Sequence, residues 1–285
     1  MKTFQFILLA VIVLFCSQYL IAQEKDKVQV RIMTNDGNEY IGEVIGEDSL
    51  KLDILTQNLG ELSISKNNIS GREEIKKAQF KEGKYWFENP QATRYFWSPN
   101  GFGLKPGEGY YQNIWVLWNQ FAIGISENFS IGGGIIPLFL FDGSPTPVFV
   151  TPKFSIPVQE KLNLGVGALL GTILVETESS FGILYGLSTF GTRDNNATIG
   201  LGYGFAAGSW ASSPMINFNA MFRTGSRGYF ITENYYIDGT LVLMAGGRWI
   251  IKKAALDFGL VIPTETGGLI AIPWLGFTVP IGNTQ

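Results

Sequence analysis

Alternation with period two governs this chain from Thr93 onward. Leu162, Leu164, Val166, Ala168 and Leu170 fall on one face of a strand, and Asn163, Gly165, Gly167 and Gly171 on the other. Ile199, Leu201, Tyr203 and Phe205 likewise oppose Thr198, Gly200, Gly202 and Gly204, and Ile216, Phe218, Ala220 and Phe222 oppose Asn217, Asn219 and Arg223. Such strands have one apolar and one polar face. In water the apolar face needs a second layer to cover it. In a bilayer it meets lipid while the polar face lines a lumen, and the sheet must close so that no edge is left unpaired.

The connections favour the bilayer. Turn signals at 127–128, 159–161, 193–196, 226–227 and 252–253 alternate with mostly longer loops at 105–109, 142–146, 176–179, 209–213, 238–239 and 263–268. Five turns and six loops give twelve strands, with both ends of the barrel on the short-turn side. The fold class expected is all-β: a transmembrane antiparallel β-barrel of about twelve strands preceded by a small soluble β-barrel module.

Charge marks the division between the two. Residues 24–88 carry 23 charged side chains in 65 positions, whereas 89–285 carry 21 in 197. Within the first stretch, short alternating runs around Val30, Tyr40, Leu52 and Leu62 are separated by turn residues such as Asn35-Asp36-Gly37 and Asn58-Leu59-Gly60. This spacing predicts a small SH3-like or Sm-like module over 23–75, a linker over 76–92 and the barrel over 93–285. Residues 1–22, with Lys2, an apolar run over 4–15 and Ala22 before Gln23, read as a signal peptide. The single cysteine, Cys16, would leave with it, so the exported chain would hold no disulfide.

The chain has no histidine, which removes imidazole bases, Ser-His triads and His-ligated metals. Its formal charge of −3 argues against nucleic acid as a partner. Ser63-x-x-Lys66 sits on an alternating solvated strand, Glu176 and Glu178 in a polar loop, and Asp142 and Asp194 in turns. Gly165-x-Gly167-x-x-x-Gly171 keeps the strand period and precedes no helix. No enzyme activity, cofactor or metal is expected.

Six charges fall inside predicted strands: Arg94, Lys153, Arg223, Glu233, Arg248 and Asp257. A two-residue turn at Lys252-Lys253 would pair Arg248 with Asp257, and Asp238-Gly239 would pair Arg248 with Tyr229. A three-residue turn after the eighth strand would add Arg223 beyond Tyr229. The row Arg223, Tyr229, Arg248, Asp257 would then cross four neighbouring strands, with Glu233 one layer away and Lys153 elsewhere on the inner face. Two readings stand open: a salt-bridge belt that holds the barrel together, or a charged constriction that selects solutes. The lumen is also open to two readings. Glycines at 165, 167, 171, 182, 186, 200, 202, 204 and 208 leave one wall bare, opposite Tyr229, Tyr235, Met244 and Trp274. Either bulky groups fill that space or a narrow channel runs along it.

Gly107-Glu108-Gly109-Tyr110-Tyr111-Gln112-Asn113, Asn128-Phe129-Ser130-Ile131-Gly132-Gly133-Gly134, Arg193-Asp194-Asn195-Asn196 and Thr232-Glu233-Asn234 resemble a group of Bacteroidetes-type outer-membrane β-barrels of no assigned activity, often with a small β-module ahead of the barrel. The resemblance implies a Gram-negative-type outer membrane, with lipid around the barrel and the module in the periplasm. The leading functional expectation is binding or passage of a small solute through a narrow lumen. The other is a structural or partner-docking protein with a plugged barrel, recognising a periplasmic partner through residues 24–75.

Overall fold

The computed structural model describes residues 28–56, 58–75, 80–81, 84–137, 145–174, 180–264 and 270–282. The signal-peptide reading over 1–22, the Glu176/Glu178 loop and Asp142 lie outside the described residues. The chain divides into two compact units, residues 1–85 and 86–285.

The first unit is a five-stranded antiparallel sheet: β1 (Gln29–Thr34), β2 (Glu39–Glu47), β3 (Lys51–Thr56), β4 (Gly60–Ser65) and β5 (Ile69–Ile75), in the order β4-β3-β2-β1-β5. A short 3-10 turn, Lys66–Asn68, leads into β5. Val30, Ile32, Leu52, Ile54 and Ile64 form its core, each the inward member of an alternating pair. Arg31 points to the other face of β1 and bonds Glu39 at 2.5 Å and Glu73 at 3.3 Å.

The second unit is a closed antiparallel barrel of twelve strands. In chain order they are β6 (Glu108–Ile114), β7 (Trp118–Gly124), β8 (Phe129–Ile135), β9 (Thr146–Val150 continued by Lys153–Gln159), β10 (Leu162–Leu174), β11 (Phe181–Gly191), β12 (Asn196–Ala206), β13 (Met215–Arg223), β14 (Gly228–Ile237), β15 (Thr240–Ile251), β16 (Ala254–Pro263) and β17 (Ile272–Gly282). The two segments of β9 occupy one wall position, since both pair with β8 and β10. The ring closes where β17 pairs with β6, Gly282 opposite Glu108 and Gly276 opposite Ile114. Closure removes every sheet edge, which a bilayer requires. Outward residues such as Phe154, Leu201 and Phe258 stay about half exposed, forming the apolar belt that faces lipid, while Thr198, Asn219 and Thr278 are buried inside.

Twelve strands agree with the turn count, but they are not the twelve that alternation suggests. Residues 93–104 form no wall strand. The run from Tyr110 onward instead folds back on itself at Trp115-Val116-Leu117, giving β6 and β7. Trp115 (φ 52°) and Val116 (φ 68°) take the left-handed conformation that glycine, asparagine or aspartate usually signals. An apolar Trp-Val-Leu tip therefore carries no turn signature. Its side chains are exposed, and Trp115 Nε1 donates to the Pro273 carbonyl at 2.7 Å.

One face assignment is also corrected. On β11, Leu184 and Phe190 are exposed while Leu187 and Thr189 are buried, so Gly182 and Gly186 face outward with the even-numbered residues. Ile183, Tyr185 and Leu187 point inward. Both faces of this strand are apolar, so period two alone could not orient it.

Candidate functional site

Residues 86–104 run into the lumen from the short-turn end and back out again. Phe87 N–H donates to the Ser226 carbonyl in the β13–β14 turn. The chain then reverses over Tyr95–Ser98, where Tyr95 N–H donates to the Ser98 carbonyl and Asn100 N–H to that of Thr93, both at 3.0 Å. The result is an internal hairpin with Gln91, Tyr95, Phe96 and Asn100 fully buried. Its Asn-Pro and Ser-Pro-Asn-Gly steps are turn chemistry, and Asn100 reinforces them by binding its neighbours: Nδ2 donates to Ala92 O at 2.9 Å, and Oδ1 accepts from Phe102 N–H at 3.0 Å.

The charges picked out in the sequence converge on this hairpin. The register places Arg223 opposite Tyr229, Tyr229 opposite Arg248 and Arg248 opposite Asp257. Arg248 and Asp257, both essentially unexposed, form a bidentate pair, Nε–Oδ1 2.7 Å and Nη2–Oδ2 2.9 Å. The remaining Arg248 donors go to the hairpin: Nη1 to Gln91 O (2.9 Å) and Asn89 Oδ1 (3.1 Å), Nη2 to Gln91 Oε1 (3.0 Å) and Tyr95 O (2.5 Å). A guanidinium with every face occupied offers nothing to a passing solute.

Glu233, wholly buried, accepts the backbone N–H groups of Phe96 (2.8 Å) and Trp97 (3.0 Å) on Oε2, and the Tyr235 hydroxyl on Oε1. Arg223 donates to Asp194 Oδ2 (2.9 Å) and to the Phe87 carbonyl (2.6 Å), and packs over the Trp86 and Tyr229 rings. Tyr229 donates to Asp194 Oδ1 at 2.6 Å. Lys153 Nζ donates to the Phe102 carbonyl at 2.6 Å on the returning limb. The neutral wall adds its share: Tyr95 Oη donates to Asn196 Oδ1 and shares a second hydrogen bond with Thr198 Oγ1, both at 2.7 Å, and Gly101 N–H donates to Thr189 Oγ1 at 2.7 Å.

Glycine makes the close fit possible at one place in the bare wall. A Cβ on Gly101 would lie 2.5 Å from the Asn163 carbonyl, and one on Gly165 would lie 3.4 Å from the Gly101 Cα. Backbone therefore packs on backbone where the sequence shows only missing side chains.

The sixth charge, Arg94, is in the hairpin and not in a wall strand. Its Nε donates to the Tyr110 hydroxyl and its Nη1 to the Trp97 carbonyl at 2.5 Å. Arg94, Trp97, Ser98 and Pro99 line one side of a small cavity in the loop-side half of the lumen. Leu169, Ile183, Tyr185, Leu187 and Met215 supply most of its apolar wall, with Gln120, Thr151, Asn217 and Tyr235 as polar lining. The sequence reading missed this cavity because its lining joins an uncounted hairpin to a strand assigned the wrong face.

A closed barrel with an apolar belt and a filled half-lumen defines the chain as a transmembrane β-barrel with an internal plug. No protein-family model and no curated protein sequence matches it. Among solved structures it is similar to a KdgM porin, at 9% identity and a TM-score of 0.47 over 60% of this chain and 98% of that one. It is also similar to a KdgM porin in complex with disordered oligogalacturonate, at 8% identity and a TM-score of 0.46 over 61% and 97%.

Proposed function

We propose that this chain is an outer-membrane barrel that binds a small solute in its loop-side cavity, and that the internal hairpin closes the way to the periplasm. The observation that carries this reading is the hairpin itself. It fills the short-turn half of the lumen and is bonded to it by Arg223, Glu233, Arg248 and Lys153, while the loop-side half keeps a cavity lined by both hairpin and wall. The charged row thus serves as an anchor and not as a selecting constriction. Binding, without catalysis, is the activity these residues support. The residue 23–75 unit is read as a small SH3-like or Sm-like module in the periplasm.

The filled half-lumen also favours a second reading, a structural barrel whose residues 24–75 dock a periplasmic partner. Planar-bilayer recording of the full chain tests the closure. The intact protein is expected to give no sustained current steps, and removal of residues 89–103 to give discrete ones, with heat-modifiable migration in SDS reporting that the barrel still forms. Equal stepwise conductance with and without the hairpin would overturn the closed lumen. Loss of all solute binding in a closed barrel would favour the docking reading.

A further inference from the structure

The loop-side cavity is chemically lopsided. Trp97, Pro99, Leu169, Ile183, Leu187 and Met215 give it an apolar body. Most of its polar lining is already committed: Asn217 Nδ2 donates to Ser98 Oγ at 2.8 Å, Gln120 donates to Gln112, and Tyr235 donates to Glu233. Of the groups left open, Thr151 and the Trp97 indole N–H among them, two lie close to one another. Arg94 has bonded only Nε and Nη1 and its Nη2 has no hydrogen-bond partner among the described residues, although the Glu233 carboxylate is close enough to interact with it electrostatically. The Tyr185 hydroxyl has no hydrogen bond to any described residue, and lies close enough to Arg94 to interact electrostatically. Lys153 lies close enough to Arg94 to interact electrostatically, with its Nζ donating to the Phe102 carbonyl.

We infer that the cavity takes a small molecule with an apolar body and a single carboxylate head, the head bound by Arg94 Nη2 and the Tyr185 hydroxyl. This deepens the solute-binding reading above and rests on it. A half-buried guanidinium facing apolar walls gains most from an anion, and a carboxylate is the planar partner for one guanidinium edge. A sugar acid would bring hydroxyls into a wall of leucine, isoleucine and methionine, where burying an unpaired polar group is costly.

Calorimetry on the full chain held in amphipol tests the inference, with 4-phenylbutyrate, 4-phenylbutan-1-ol and galacturonate as probes. The acid should bind roughly tenfold or more tightly than the matching alcohol, since a charge-assisted bond is about twice as strong as a neutral one. Arg94→Met should lower acid affinity by roughly tenfold and leave the alcohol little changed, Arg94→Lys should fall between, and Tyr185→Phe should cost the acid several-fold. Acid and alcohol binding alike, with neither variant separating them, would overturn the carboxylate head while leaving a solute site. Galacturonate binding more tightly than phenylbutyrate would overturn the apolar body. Failure of every probe to bind the intact protein would instead overturn the solute-binding reading. Should Arg94→Met lose heat-modifiable migration, Tyr185→Phe, which removes one oxygen, decides the question.

Discussion

Arg248 reaches Gln91 with both terminal nitrogens, Nη1 at 2.9 Å from its carbonyl and Nη2 at 3.0 Å from its side-chain oxygen. The same guanidinium holds Asp257 in a bidentate pair, so one side chain joins wall to plug. Removing one partner of a buried pair leaves the other charge uncompensated, a loss of about 3–5 kcal/mol. Asp257→Ala should therefore lower the unfolding temperature in SDS sharply. The double change Arg248→Ala/Asp257→Ala should lower it less than the two single effects added together. Strict additivity would mean that the two residues are not coupled.

Leu201 and Gly202 are neighbours on β12 with opposite faces, Leu201 half exposed and Gly202 buried. Arginine at a lipid-facing mid-depth position costs roughly 2–4 kcal/mol. Leu201→Arg should impair assembly more than Gly202→Arg, whose first atom meets chiefly the Ile183 side chain. The fraction of heat-modifiable protein recovered from membranes measures this, and the reverse order would refute the faces assigned to β12.

Gly101 and Gly186 make a sharper pair. A methyl on Gly101 would press on the Asn163 carbonyl, whereas one on Gly186 meets nothing within 4 Å. Gly101→Ala should leave the barrel heat-modifiable but loosen the hairpin, seen as protease cleavage within 86–104 or as new current steps. Gly186→Ala should change neither.

In the N-terminal unit, Glu47 accepts hydrogen bonds from Lys66 (2.8 Å) and Arg72 (2.9 Å), which hold its carboxyl below the usual range. A carboxyl depressed by folding contributes stability at pH above its unfolded value, and loses that contribution as pH falls through the folded one. Acidification should therefore weaken hydrogen-exchange protection across β2 and β5 in the full chain, after correction for intrinsic rates. Glu47→Gln should flatten that dependence. An unchanged pH profile in Glu47→Gln would assign the effect elsewhere.

The wall of the barrel was largely legible because a strand between lipid and lumen must alternate, and β10, β12 and β13 do. The Arg248–Asp257 register was legible because Lys252-Lys253 is a two-residue turn, with Lys252 at φ 57°. The hairpin was not. Arg94 to Trp97 look like a strand fragment, and the only cues against it were Asn89-Pro90 and the Ser98-Pro99-Asn100-Gly101 run, which mark reversals but not where the chain goes. Two errors offset one another: counting 93–104 as a strand hid the missed turn at Trp115. The cavity followed from neither pattern, because Ile183, Tyr185 and Leu187 carry apolar character into a face expected to be polar.

The hairpin precedes the wall in the chain, and its partners come late: Gln91 and Arg248 are 157 residues apart, Phe96 and Glu233 137. Contacts so distant in sequence form slowly, since the intervening loop must close before any bond rewards it. Arg248 and Glu233 reach their full partner sets only with the hairpin already in the lumen. The finished barrel is a sheet wrapped about a hydrogen-bonded interior, the reverse of a soluble domain packed on a greasy one.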